Sequence, residues 1–142
     1  MNIILLFLTI NLSLDTGPID CNKCSVEILA KTEARLNNLS HQEMQMFFCT
    51  MDESCKSNIE FSEFSNELLF KVFASQAALS MKILSVTEEN ARKAILEELT
   101  VGNESVDLKE TYTKISNTRG HNKIKKQVLK SLQSAIDKYQ TK

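Results

Sequence analysis

The chain has 142 residues, of which 42% are hydrophobic and 25% charged, and its formal net charge is −1 at pH 7. This length suits one domain with a core of its own. Three glycines and one proline are too few for the turns of an all-β protein or for a glycine-rich phosphate loop, and the near-zero net charge argues against a general nucleic-acid-binding protein.

An uncharged apolar segment lies at the amino terminus, from Ile3 to Leu14. Its length matches the hydrophobic core of a signal peptide and falls short of the roughly 20 residues that span a bilayer. We predict a signal peptide over residues 1–17, with cleavage between 13 and 20, and a single helical domain over residues 18–142. No later apolar stretch is long enough to cross a membrane, so we expect a secreted, extracellular chain without a membrane span. A buried amino-terminal segment of a cytosolic protein is the alternative.

Four cysteines lie close together at the start of this domain: Cys21, Cys24, Cys49 and Cys55. In an oxidising compartment they predict two disulfides, for which three pairings exist. If a helix over residues 24–39 is followed by a helix that returns over residues 40–52, Cys49 comes near Cys24. This geometry favours the nested pairs Cys24–Cys49 and Cys21–Cys55 over a local Cys21–Cys24 bond. A zinc site and a redox Cys-X-X-Cys pair are alternatives, against which export and the missing βαβ pattern argue.

Apolar residues recur at helical spacing along most of the remaining chain. The segments with this pattern are 24–39, 40–52, 59–84, 85–101 and 121–140. Capping boxes are predicted at Ser40 with Glu43 and at Ser85 with Glu88, and Gly102 is expected to end the fourth segment. Residues 105–115 fit either a helix or a short strand. We therefore predict an all-α, disulfide-stapled helical bundle.

The third segment is the most apolar, and Lys71 is its only charge between Leu68 and Met81. A helix that is hydrophobic nearly all round is expected at the centre of a bundle. Phe70, Phe73 and Met81 lie outside the single apolar stripe that would be enough to bury this helix on one side. They raise the alternative hypothesis of a cavity for a lipid ligand.

The small net charge hides a strong asymmetry along the chain. Residues 1–118 carry 10 basic and 17 acidic side chains, a sum of −7, whereas residues 119–142 carry 7 basic and 1 acidic, a sum of +6. Lys123, Lys126 and Lys130 lie on the predicted polar side of the last helix. They form a solvated face, a surface that attracts an acidic partner, or a site for nucleic acid or anionic glycans. Without interleaved aromatic residues, nucleic acid is the weakest candidate partner, and we expect none to bind.

Two Asn-X-Ser sequons in predicted breaks, at Asn38 and Asn103, are candidate glycosylation sites. The two histidines, His41 and His121, lack a partner at metal-binding or catalytic spacing. Since no catalytic motif is present, we expect no enzymatic activity, no metal and no cofactor.

Several features together resemble the short-chain four-helix cytokines, in particular the interleukin-4 and interleukin-13 group. The similar features are a cysteine just before the first helix, the run Leu36-Asn37-Asn38-Leu39-Ser40 followed by Cys49, and the closing amphipathic helix from Lys125 to Gln133 followed by Lys138-Tyr139. The resemblance implies an up-up-down-down four-helix bundle, here with an extra short helix in the first crossover. It also implies a role in the immune response and binding to paired type I cytokine receptors.

The predicted function is therefore that of a secreted, cytokine-like signalling protein that binds a cell-surface receptor through its outer helix faces. The candidate receptor-binding residues are Glu27, Glu33, Lys123, Lys126 and Lys130. The alternative is a secreted helical carrier of a fatty acid or another apolar ligand, which would need an enclosed apolar cavity of several hundred Å³.

Overall fold

The computed structural model describes residues 21–140, and this part of the chain is helical without any strand. Its α-helices are α1 (Val26–Ala34), α2 (His41–Cys49), α3 (Ile59–Ser75), α4 (Ala77–Val86), α5 (Glu89–Val101), α6 (Leu108–Ser116) and α7 (Asn122–Gln140), and a 3-10 turn (Glu53–Cys55) follows α2. The predicted all-α class and two disulfides are confirmed. The predicted signal peptide over residues 1–17 lies outside the described residues.

Side-chain caps set where α2 and α5 begin. The Ser40 hydroxyl accepts the Glu43 N–H at 3.1 Å, and the Glu43 carboxylate accepts the Ser40 N–H at 2.8 Å, which confirms the predicted capping box at α2. The box predicted at Ser85 is wrong, because Ser85 lies inside α4 and donates to the Lys82 carbonyl. Instead, Glu88 caps α5 by accepting backbone N–H groups of the first turn.

The disulfides join Cys21 to Cys49 and Cys24 to Cys55, so the predicted nested pairing is wrong. Two local features explain the difference. First, α1 begins at Val26 rather than at Cys24, and Cys24 lies in a turn with a φ of +60°. Second, the 3-10 turn after α2 returns the chain and places Cys55 beside Cys24, with a Cα–Cα distance of 5.2 Å.

The third predicted segment is not one helix but two. Helices α3 and α4 are bent by 112° relative to one another, and Gln76 between them has non-helical backbone angles. The Gln76 amide oxygen accepts the Leu39 N–H at 2.8 Å, and its amide nitrogen donates to the Leu39 carbonyl at 3.4 Å. The bend therefore coincides with a hydrogen-bonded junction to the loop between α1 and α2.

The bend explains why this segment is apolar on all sides. Phe70 and Phe73 of α3 and Met81 of α4 are fully buried, since two crossing helices present different faces to one continuous core. No single helix among residues 21–140 is long and apolar enough to span a membrane, and α3 with α4 reaches that threshold only as a bent pair.

Helices α5, α6 and α7 close the other side of the core. Residues 105–115, for which the sequence predicts either a helix or a short strand, contribute to α6, which Asp107 caps by accepting the Glu110 N–H at 2.9 Å. Helix α7 packs against α4, α5 and α6. Its buried side chains recur at the helical spacing predicted for residues 121–140, and they are Ile124, Val128, Ser131, Leu132, Ala135 and Ile136.

The predicted end of α5 at Gly102 is confirmed, and the packing there requires glycine. Gly102 has a φ of +76°, which favours glycine. A Cβ at this position would collide with the Tyr139 ring of α7. The carboxyl-terminal ends of α5 and α7 therefore lie in direct contact.

Proteolytic mapping under non-reducing conditions tests the pairing of the disulfides. Trypsin cuts after Lys23 and separates Cys21 from Cys24, while an acid-specific protease cuts at Asp52 and Glu53 and separates Cys49 from Cys55. We expect cross-linked peptides only for Cys21 with Cys49 and Cys24 with Cys55. Recovery of a peptide that joins Cys24 to Cys49 would contradict the structure.

Removal of either pair as a double serine variant should lower the free energy of unfolding. The cysteines of the two disulfides are 28 and 31 residues apart, and closing loops of this length corresponds to about 3–4 kcal/mol in the chain-entropy model. Denaturant titration measures this loss, and an unchanged unfolding midpoint would contradict it.

The variant Gln76→Ala tests the junction between α3 and α4. It removes the acceptor of the Leu39 N–H and also favours a continuous helix, so we expect a loss of about 1–3 kcal/mol in the free energy of unfolding. Gln127→Ala, at an exposed position of α7, is the matched control and should change stability by less than about 0.5 kcal/mol. Equal effects of both variants would show that the junction is unimportant.

Candidate functional site

The outer face of α7 carries three lysines at positions expected on one side of a helix. Lys123, Lys126 and Lys130 are spaced by three and four residues, and all three are exposed. None of them makes an ion pair or a side-chain hydrogen bond within the described part of the chain. We call these three residues the lysine face.

Two other lysines of α7 make hydrogen bonds that stabilise the fold. Lys125 donates from its ammonium group to the Thr118 carbonyl at 2.8 Å, and Lys138 donates to the Thr100 carbonyl at 2.8 Å. Both groups satisfy carbonyls near the carboxyl-terminal ends of neighbouring helices, where a cation is favourable. The lysine face is thus the part of the basic helix that intramolecular contacts leave available.

A surface groove of about 610 Å³ lies between α6 and α7 beside the lysine face. Half-buried Tyr112 and Leu129 supply its apolar surface. Its polar lining comes from α7: Asn122, Lys125, Lys126, Lys130, Gln133, Ser134 and Asp137. Apolar side chains surrounded by polar ones are the usual composition of a protein-binding surface. We call this the α6–α7 groove.

The two acidic candidates lie on a different surface. Glu27 and Glu33 are both exposed on α1, and Glu27 accepts a hydrogen bond from the Ser25 hydroxyl at 3.0 Å. Helix α1 packs mainly against α2 and α3, whereas α7 packs against α4, α5 and α6. The structure therefore does not bring the acidic candidates and the lysine face into one site.

A polar cluster with a buried centre, formed by Asn66 and Glu98, connects α3, α5 and the loop after α5. The Asn66 amide donates to the Glu98 carboxylate at 3.0 Å, the Asn103 amide donates to the Asn66 side-chain oxygen at 3.1 Å, and the Lys56 ammonium lies 3.0 Å from Glu98. The hydrogen bond with Glu98 raises the pKa of Lys56. We call these four residues the polar clamp. No sequence motif predicts this cluster.

A larger surface groove, of about 870 Å³, lies beside the Cys21–Cys49 disulfide. Phe48 and Met51 line it together with exposed Val86. On its rim, the Lys23 ammonium lies 2.8 Å from the Asp52 carboxylate. Hydrogen bonds from Lys23 and from the Ser54 hydroxyl and N–H lower the pKa of Asp52 to about 2.

The residues that suggested an apolar cavity do not line any of the three surface grooves. Phe70, Phe73 and Met81 are absent from the α6–α7 groove, from the groove beside the disulfide, and from a third groove of about 480 Å³ near Tyr139. Their side chains are fully buried against other core residues. The apolar excess of α3 and α4 is thus used in packing.

Both sequons lie in loops, as predicted. Asn38 lies between α1 and α2, and Asn103 lies between α5 and α6. Asn38 is exposed, whereas Asn103 is half-buried.

Comparison with known protein families, with curated proteins and with solved structures finds no match to this chain.

The ion pair between Lys23 and Asp52 predicts a pH dependence of stability. A lowered carboxyl pKa contributes stability above the unfolded-state value of 3.8, and this contribution is lost as the pH falls towards about 2. Because the Asp52 side chain is 34% exposed, solvent screening reduces the contribution to about 1 kcal/mol.

The control for this prediction is Asp52→Asn. We expect it to be about 1 kcal/mol less stable than the native chain near pH 6 and equally stable near pH 2. Denaturant titrations of both proteins across this range measure the difference. A stability gap that is independent of pH would contradict the assignment.

Proposed function

We propose that this chain is a secreted, cytokine-like signalling protein that binds a cell-surface receptor through the lysine face and the adjoining α6–α7 groove. The observation that carries the proposal is the set of three exposed lysines without intramolecular partners beside Tyr112 and Leu129. Acidic receptor side chains would pair with the lysines, and an apolar side chain would enter the groove.

The physical roles of these two parts differ. Exposed charges of one sign speed association with an oppositely charged partner and select against wrong partners. Burial of apolar side chains such as Tyr112 and Leu129 supplies affinity, and aromatic residues are frequent among the side chains that dominate binding energy. In the mature chain, residues 18–118 carry 10 basic and 16 acidic side chains, a sum of −6, and this acidic part would orient the basic end towards an acidic receptor.

The proposal includes a second receptor surface on α1. Glu27 and Glu33 lie on a helix with other packing partners than α7, so one receptor chain on each helix would not compete for the same side chains. This agrees with the paired type I receptors that the resemblance to the interleukin-4 and interleukin-13 group implies. The proposal also adopts that group's up-up-down-down arrangement, with α2 as the extra short helix in the first crossover. Six α-helices other than α2 are described, so α3 with α4 would count as one bent element and α6 would be a further addition to the four-helix plan.

Secretion is supported by the two disulfides, which persist in oxidising compartments and are rare in the cytosol. The predicted signal peptide over residues 1–17 and the two sequons agree with the same route. The carrier alternative has less support, because Phe70, Phe73 and Met81 fill the core.

Charge reversal on the lysine face tests the proposal. The double variant Lys126→Glu/Lys130→Glu should weaken binding to responsive cells by about tenfold to a hundredfold, because attraction to an acidic receptor becomes repulsion. The matched control is Lys82→Glu/Lys109→Glu, which changes the net charge equally at exposed lysines of α4 and α6. Flow cytometry with labelled protein at several salt concentrations measures both.

The outcomes separate the hypotheses. Loss of binding only in the lysine-face variant supports the proposal, whereas equal loss in both variants indicates non-specific attraction and contradicts it. A native chain that binds no cell surface at nanomolar concentration, and that is purified with a bound fatty acid, would favour the carrier.

A further inference from the structure

The two sequons are equivalent as motifs, but their asparagines differ in the structure. The side chain of Asn38 makes no hydrogen bond within residues 21–140, whereas that of Asn103 is hydrogen-bonded. We propose that the secreted chain carries an N-linked glycan on Asn38 and none on Asn103, because a glycan on Asn103 would hinder formation of the polar clamp during folding. The inference rests on the proposed secretion, since glycan transfer takes place in the secretory pathway.

Asn38 is held through its backbone and leaves its side chain available. Its N–H donates to the Arg35 carbonyl at 2.7 Å, and its carbonyl accepts from the Arg35 guanidinium at 3.1 Å. The neighbouring Leu39 is only 5% exposed and is bound to Gln76. The Asn38 side-chain amide is exposed and makes no hydrogen bond within residues 21–140. A glycan at this position would displace no contact.

Asn103 uses both polar atoms of its side chain. Its amide nitrogen Nδ2 donates to the Asn66 Oδ1 atom at 3.1 Å, and its own Oδ1 atom accepts the N–H and the hydroxyl of Ser105 at 2.9 and 2.6 Å. Asn66 is only 7% exposed and is bound to Glu98 in turn. The atom that would carry the sugar therefore faces a buried acceptor.

The backbone around Asn103 also has little freedom to move. Gly102, directly before it, packs so closely against the Tyr139 ring that a single added Cβ would collide. Moving Asn103 outward to expose Nδ2 would disturb this contact between α5 and α7. It would also leave the Asn66 oxygen buried without its partner, which costs stability.

The modification forms a bond between asparagine Nδ2 and the anomeric carbon of an oligosaccharide. The bond from that carbon to a diphosphate-linked lipid donor breaks, the lipid diphosphate leaves, and one Nδ2 proton is released to a base. A modified Asn103 would hold a bulky saccharide on an atom that lies 3.1 Å from Asn66. One N–H stays on Nδ2, but the saccharide would crowd buried Asn66 and hinder the polar clamp, whereas a chain modified at Asn38 folds as before.

The serine of the Asn38 sequon also has a structural role. Its serine, Ser40, is also the cap of α2 and accepts the Glu43 N–H. Removing the sequon through Ser40 would therefore disturb α2, so Asn38→Gln is the cleaner variant. Ser40→Thr keeps both the sequon and the capping hydroxyl, and serves as the control.

The test is glycopeptide mapping of the full chain secreted from cultured eukaryotic cells. Enzymatic release of N-glycans in heavy-oxygen water converts each formerly modified asparagine to a labelled aspartate. We expect labelled aspartate at position 38 in most molecules and at position 103 in fewer than about a tenth. Asn38→Gln should be secreted without a glycan and should bind cells like the native chain, while Ser40→Thr should keep the glycan.

Comparable labelling at Asn103, or secreted chains unmodified at Asn38, would overturn the inference and leave the receptor proposal intact. If the native chain is not secreted, the inference fails together with the proposed secretion. If position 38 is labelled while position 103 is not, and the lysine-face variant alone loses cell binding, both proposals are supported by independent measurements.

Discussion

The hydrogen-bonded junction between Gln76 and Leu39 is the constraint on which the rest of the structure depends. It lies at a bend of 112° between α3 and α4, and it joins that bend to the loop between α1 and α2. A straight helix over this apolar segment would expose one of its faces to water, at about 25 cal/mol per Å² of apolar surface. The bend allows both helices to bury their apolar sides in one core.

Because the core is filled in this way, the candidate binding residues lie on the outside of the molecule. On this surface, some lysines of α7 make hydrogen bonds within the part of the chain that the structure describes and others make none. Lys125 and Lys138 satisfy backbone carbonyls of the fold, whereas Lys126 and Lys130 make no ion pair within residues 21–140 and lie beside a groove with Tyr112. Charge clustering alone could not separate these roles, since all four residues belong to the same basic helix.

The sequence predicted the features that depend on local chemistry. The scarcity of glycine and proline predicted helices, the Ser40 capping box predicted the start of α2, and the period of the apolar residues predicted the buried stripe of α7. Features that depend on distant partners were missed. Gln76 is neither glycine nor proline, and its partner Leu39 is 37 residues away. The disulfide pairing depends on the short 3-10 turn Glu53–Cys55, which the sequence did not predict. The α6–α7 groove depends on residues 105–115, whose apolar pattern fits a helix and a strand equally. The polar clamp has no sequence signature.

The most direct test of the central claim measures the acetylation rate of each lysine ammonium group in the free chain and in the chain bound to responsive cells. We predict that binding slows the acetylation of Lys126 and Lys130 by about tenfold or more, because an interface excludes water and reagent. The rates at Lys82 and Lys109 should not change. Protection of Lys82 or Lys109 while Lys126 and Lys130 stay reactive would contradict the claim that the receptor binds the lysine face.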